Sequence, residues 1–236
     1  MRGALTMKHD AVVTRVVQEA PTVSTVFFTV DGGAFTFTAG QYISVYFEQT
    51  GKKSGKAYSL SSAPRDKELS ITVKNVGEFS GLICGLKPGD RFIVSSPYGF
   101  FNSSDDMPIV AIAAGVGISP IWSIIRDELE TSSQRDISLY LSAPYENELI
   151  FRATIEALFS RCSQASAHYF VTREPSKVAE TRRFKVTTDV PSDALATSRF
   201  YICGSETFVR GVWLQLMEAG VDESRIVTET FFESSL

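Results

Sequence analysis

Pro108-Ile109-Val110-Ala111-Ile112-Ala113-Ala114-Gly115-Val116-Gly117-Ile118-Ser119-Pro120 reads as a buried strand, a glycine turn and a helix start, in that order. Residues 109–113 are apolar without interruption, as in a strand covered on both faces. Gly115 and Gly117 let the backbone come close to a pyrophosphate, and Ile118 leads into the helix. That helix, beginning at Ser119 with Pro120 in its first turn, would offer unpaired N–H groups and the positive end of its dipole. The usual dinucleotide fingerprint has a third glycine where Pro120 stands, so the Gly-x-Gly pair alone fits an ordinary strand-to-helix turn equally well.

Downstream the alternation continues. Residues 137–141 read as a strand and 148–160 as a helix whose Phe151, Ile155, Leu158 and Phe159 form one apolar stripe. Strands follow at 167–172 and 200–203, then a helix at 206–219. Such β-α-β alternation predicts a mainly parallel sheet with helices on both faces. Upstream the pattern is different. β-Branched or alternating segments at 11–17, 23–30, 42–47, 69–74 and 91–94 are punctuated by Asp31-Gly32-Gly33, Thr50-Gly51, Ala63-Pro64 and Pro88-Gly89-Asp90. Short strands at this spacing predict a closed antiparallel barrel or a sandwich. The polar run Asn102-Ser103-Ser104-Asp105-Asp106 marks the boundary, giving modules 1–104 and 105–236.

The chain has 236 residues, 44% of them hydrophobic, enough for two modest cores. A net charge of -4 with 21% charged residues argues against a nucleic-acid binder. The absence of an apolar run of membrane-spanning length, and a start without a signal-peptide core, predict a soluble cytoplasmic protein, with Met7 as a candidate natural start. The three cysteines, Cys84, Cys162 and Cys203, lie far apart, and His9 and His168 are the only histidines. This excludes a disulfide framework and predicts no metal or iron-sulfur site on this chain.

Lys56-Ala57-Tyr58-Ser59-Leu60-Ser61-Ser62-Ala63-Pro64, followed by Gly77-Glu78-Phe79-Ser80-Gly81-Leu82, resembles the flavin motifs of the ferredoxin-NADP reductase family. Phe37-Thr38-Ala39-Gly40-Gln41-Tyr42, the run from Lys87 to Phe101, and the glycine turn with its proline resemble further segments of that family, in its order. The resemblance implies an N-terminal six-stranded Greek-key barrel holding FAD and a C-terminal nicotinamide-nucleotide module. Tyr58 would stack on the isoalloxazine and Ser59 would hydrogen-bond near its reactive nitrogen. Leu60 and the strand residues Thr72, Val73 and Lys74 would line the same site. Gly77, Phe79 and Ser80, with the N–H groups of Gly81 and Leu82, would receive the flavin pyrophosphate. Lys56 stands where the family carries Arg, and lysine keeps the charge but loses the bidentate grip on phosphate.

Tyr201-Ile202-Cys203-Gly204-Ser205 resembles the family's strand end beside the nicotinamide, which gives Cys203 and Gly204 a positioning role there. Glu229-Thr230-Phe231-Phe232 resembles its terminal acid and aromatic. Glu229 would carry a proton, and Phe231 or Phe232 would cover the flavin. Thr172 and Arg173 fall where NADP-dependent relatives meet the 2'-phosphate, and Lys177, Arg182 and Arg183 extend a basic cluster, so NADPH and NADH both stay open. The implied enzyme passes electrons from NAD(P)H to a small redox protein on another chain: ferredoxin, flavodoxin or an oxygenase component. A reductase of free flavins, and a flavin-binding redox subunit without catalysis, are the rival readings.

Overall fold

A computed structural model describes residues 7–32, 35–47, 55–103, 105–131 and 134–231. Six strands make the first module: β1 (Lys8–Ala20), β2 (Val23–Val30), β3 (Tyr42–Tyr46), β4 (Lys56–Ser59), β5 (Leu69–Lys74) and β6 (Arg91–Ser95). They pair antiparallel in the order β4-β3-β6-β1-β2-β5. Alternate side chains point inward, so Ala11, Val13, Val26, Phe28, Ile43, Val45, Ile71, Val73, Phe92 and Val94 meet in one core. A register shift between Val13 and Arg15 marks a bulge of the kind that bends a strand. The sheet curls until its two edges touch, where Leu60 just past β4 bridges Ile71 of β5. Helix α1 (Glu78–Cys84) packs Phe79 and Ile83 into that core.

The second module is a parallel sheet of β7 (Ile109–Ala114), β8 (Ile137–Ala143), β9 (Ala165–Val171), β10 (Arg199–Ser205) and β11 (Ile226–Phe231) in the order β11-β10-β7-β8-β9. Helices α2 (Ile118–Glu130) and α3 (Arg152–Phe159) bury one face, while α4 (Val186–Asp189), α5 (Ser192–Thr197) and α6 (Glu206–Glu218) bury the other. The chain winds outward from β7 to β9, then returns across β7 to form β10. Strand order therefore reverses between β7 and β10, and the region beyond their carboxyl ends is the usual place for a ligand in such sheets.

Several elements differ from the sequence-based expectation. The helix expected at 148–160 begins only at Arg152. Residues Glu146–Glu148 form a tighter 3-10 turn, and Phe151 takes a left-handed φ of 62° with its ring stacked on Trp122, which interrupts the helix. β9 starts at Ala165, two residues early, because Ala165 pairs with Ile137 of β8. β11 was not anticipated. Its edge position leaves no residue fully buried and Thr228 exposed, so the sequence Ile226-Val227-Thr228-Glu229-Thr230-Phe231 carries no strong apolar signal. No helix among the described residues is long and apolar enough to cross a membrane.

Candidate active site

Ser59, Cys203 and Glu229 come from three strands and both modules, yet they meet. Ser59 ends β4 and donates a 2.6 Å hydrogen bond to Glu229 Oε1 on β11. Cys203 lies directly opposite Glu229 in the β10–β11 register. Burial pushes the Glu229 carboxyl above its ordinary value, and the Ser59 hydroxyl opposes that rise. Burial, with the Glu229 charge adding to it, pushes the fully buried Cys203 thiol well above its usual range. A neutral, inaccessible thiol is a poor nucleophile.

The glycine turn is built for this neighbourhood. Gly115, Val116 and Gly117 form a 3-10 turn that runs straight into α2. A Cβ on Gly117 would sit 2.2 Å from the Cys203 carbonyl oxygen, so this glycine is required by the adjacent strand. Gly204 is similarly enclosed by Phe208 and Ala114. Gly115 differs: its φ is +54° and the space beyond it is open. Ala114, Gly115 and Val116 are left half-exposed at the carboxyl end of β7. Ile118, Ser119 and Pro120, expected to face the nucleotide, are buried behind the turn, where the Ser119 hydroxyl donates to the Val116 carbonyl.

On the barrel side, Tyr58 is half-buried and stacks on Phe79 with ring centres 6.3 Å apart and planes 14° from parallel. Burial, helped by nearby Cys84, raises its hydroxyl pKa to about 12, so the phenol stays protonated. Lys56 is exposed, with Nζ 5.8 Å from the Phe79 ring centre, and Ala57 is exposed beside it. At the start of α1 the Ser80 hydroxyl accepts from the Val76 and Gly77 N–H groups, both at 3.0 Å. The Gly81 N–H donates to the Gly77 carbonyl at 2.8 Å, and Leu82 lies one residue deeper in the helix. The Thr72 hydroxyl bonds to Thr25 and Ser61 inside the barrel, Val73 is core, and only Lys74 of this trio is exposed.

Past β9, Thr172 and Arg173 are exposed, and their N–H groups donate to the Ala143 and Pro144 carbonyls at 3.2 and 2.9 Å. Arg182 does not join the basic cluster. It pairs with Asp189 and Glu180 and lies over the Phe170 ring. Arg173, Lys177 and Arg183 remain exposed. Phe231, at the end of β11, is half-buried and packs against the core under α2; Phe232 lies outside the described residues. Glu229 also lines a cavity of about 790 Å³ with Gln41, Tyr42, Tyr98 and Val227.

Sequence reasoning missed the contacts that join the modules. Ser123 Oγ on α2 donates to the Ser62 carbonyl at 2.6 Å, and Arg126 grips both Asp66 oxygens at 2.5 and 2.7 Å. Phe101 packs edge-on against Tyr201, 5.7 Å between centres. The one available signal was the placing of Ser123 and Arg126 three residues apart on a helix, which sets them on one face.

These residues suit two nucleotide groups. Open space beyond Gly77 and Gly115, where a Cβ would meet nothing, leaves backbone accessible at the start of α1 and at the glycine turn.

Comparison with known proteins agrees with this division. The oxidoreductase FAD-binding domain family matches residues 11–102, and the oxidoreductase NAD-binding domain family matches residues 111–213. A flavohemoprotein of Bacillus cereus is 28% identical over 94% of this chain and 60% of its own length. A glycine betaine monooxygenase reductase subunit of Chromohalobacter salexigens is 26% identical over 95% of this chain and 64% of its own. This chain thus spans about three-fifths of the length of these curated relatives. The solved flavohem-like FAD/NAD-binding domain of nitric oxide dioxygenase from Vibrio cholerae superimposes with a TM-score of 0.86 at 26% identity, covering 94% of this chain and 98% of that one. With both domain families matched in order and the fold shared, the chain belongs to the ferredoxin-NADP reductase family of FAD- and NAD-binding oxidoreductases.

Proposed function

We propose that this chain is the reductase half of an electron-transfer pair, drawing on NADH or NADPH and supplying electrons singly to a separate redox protein in the cytoplasm. The module junction is taken at 104/105. FAD, when bound, supplies the conversion between two-electron and one-electron transfer. Tyr58 offers a ring face for the flavin, with Ala57 and Leu60 on either side, and Lys56 offers a positive charge to its phosphate. Gly77 and the start of α1 give the pyrophosphate a close backbone approach. Gly115 does the same for the nicotinamide nucleotide at the switch point. Cys203 and Gly204 shape the nicotinamide pocket, and Phe231 covers it until the nucleotide arrives. Glu229 Oε1 accepts the Ser59 hydroxyl hydrogen, and the cavity lined by Glu229 offers its proton a route to solvent.

The observation that carries this reading is the Ser59–Glu229 hydrogen bond, formed across the module interface directly beside Cys203 and the glycine turn. The relative named as a monooxygenase reductase subunit supports an acceptor on another chain. One feature favours reduction of free flavins instead: Lys56, exposed and directed over Phe79, is a weaker anchor than arginine. Gel-filtered protein decides between them. Retained FAD and NAD(P)H-driven reduction of an added ferredoxin support the electron-transfer reading. Loss of FAD on the column, with turnover restored only by added flavin, supports the other.

A further inference from the structure

We infer that Ser123 and Arg126 are positioning residues that set the distance between the Ser59–Glu229 pair and the nucleotide turn. The inference rests on the reductase reading. The segment leaving β4 is a strap with fixed points along its length. Leu60 bridges Ile71. The Ser61 N–H donates to the Ser70 carbonyl at 2.8 Å, and the Ser62 hydroxyl accepts from the Ser70 N–H at 3.1 Å. Asp66 closes a turn by accepting the Ala63 N–H at 2.9 Å. All slack is thereby removed between Ser59 and Asp66.

The strap is tied to α2 at two points on one helical face. The Ser123–Ser62 bond is fully buried, with exposures of 0% and 1%. The Arg126–Asp66 pair, one turn on, is bidentate and about three-quarters buried on each side. Such geometry resists screening and fixes orientation as well as distance. The other end of α2 grows directly out of Gly115–Gly117. One rigid helix thus holds the nucleotide turn at its start and the strap bearing Ser59 along its side. A small error in the relative placement of two reacting groups lowers the rate far more than the affinity.

The test is anaerobic stopped-flow reduction of the FAD-loaded parent, Ser123→Ala, Arg126→Ala and Arg126→Lys proteins by NADH and NADPH, with and without deuterium at the transferred position. If the parent flavin fails to bleach, the reductase reading itself is lost. Given a parent that bleaches, the expected result for Arg126→Ala is unchanged flavin content, an apparent nucleotide affinity within about twofold, and a limiting rate lower by about ten- to a hundredfold. A deuterium isotope effect no smaller than the parent's should accompany it, and Arg126→Lys should recover part of the rate. Should Arg126→Ala not fold, Ser123→Ala, which leaves no void, decides by the same readings. A limiting rate within twofold of the parent, or flavin content, affinity and rate falling together, overturns the inference.

Discussion

Glu229 is the residue on which acid-base behaviour depends. Its carboxyl is raised by burial, so the fold binds its proton more tightly than the unfolded chain does. The sign follows: the charged form is penalised only in the fold, so stability is lost as pH climbs from the ordinary value of 4.5 through the folded one. Glu229→Gln removes that penalty. Thermal melts should show the variant gaining on the parent in mildly alkaline buffer, with the gain vanishing under acid conditions; a gain that grows toward low pH would refute the assignment. The same variant should lose about a hundredfold in flavin reduction and lose the acid limb of the pH–rate profile. Ser59, Cys203 and Glu229 could be singled out in the sequence only through the family resemblance of the short motifs that hold them, and the fold brings the three together. Thr72, Ile118, Ser119 and Pro120, assigned to the site from the same motifs, have their side chains buried. A motif marks a neighbourhood, but which of its residues face the site depends on burial, and burial is settled by packing from distant segments.

Among elements, the glycine turn makes a sharp pair of predictions. At Gly117 an added methyl meets the Cys203 carbonyl and the Gly204 nitrogen, backbone atoms that cannot swing aside. Gly117→Ala should destabilise by about 3 kcal/mol and weaken nucleotide binding with it. At Gly115 the space is open and only the left-handed backbone is at stake. Gly115→Ala should cost about 1–2 kcal/mol, and denaturant melts will separate the two cases. Equal losses would mean that the turn is not seated on β10 as described. The central strands and α2 were readable because they are apolar and long. β11 was not, since an edge strand with polar alternate residues looks like a loop, and the late start of α3 depends on one strained Phe151 that composition does not announce.

For the whole molecule, the two modules were separable in the sequence by their different periodicities, but their joint was invisible there. Ala20, Val23, Ala39 and Phe101 of the barrel belong to the same core as Ile118, Ile121 and Tyr201 of the α/β module. A shared core of this kind makes unfolding cooperative across both modules. Phe101→Ala should cost about 3 kcal/mol and split a single calorimetric transition into two; a single shifted transition would show that the strap and α2 suffice to couple the modules. The account as a whole stands on one reaction. When the FAD-loaded protein is mixed anaerobically with NADH and with NADPH in a stopped-flow spectrometer, flavin absorbance near 450 nm should bleach with at least one of them, at a rate that saturates with nucleotide concentration. A protein that holds FAD yet is bleached by neither would contradict it.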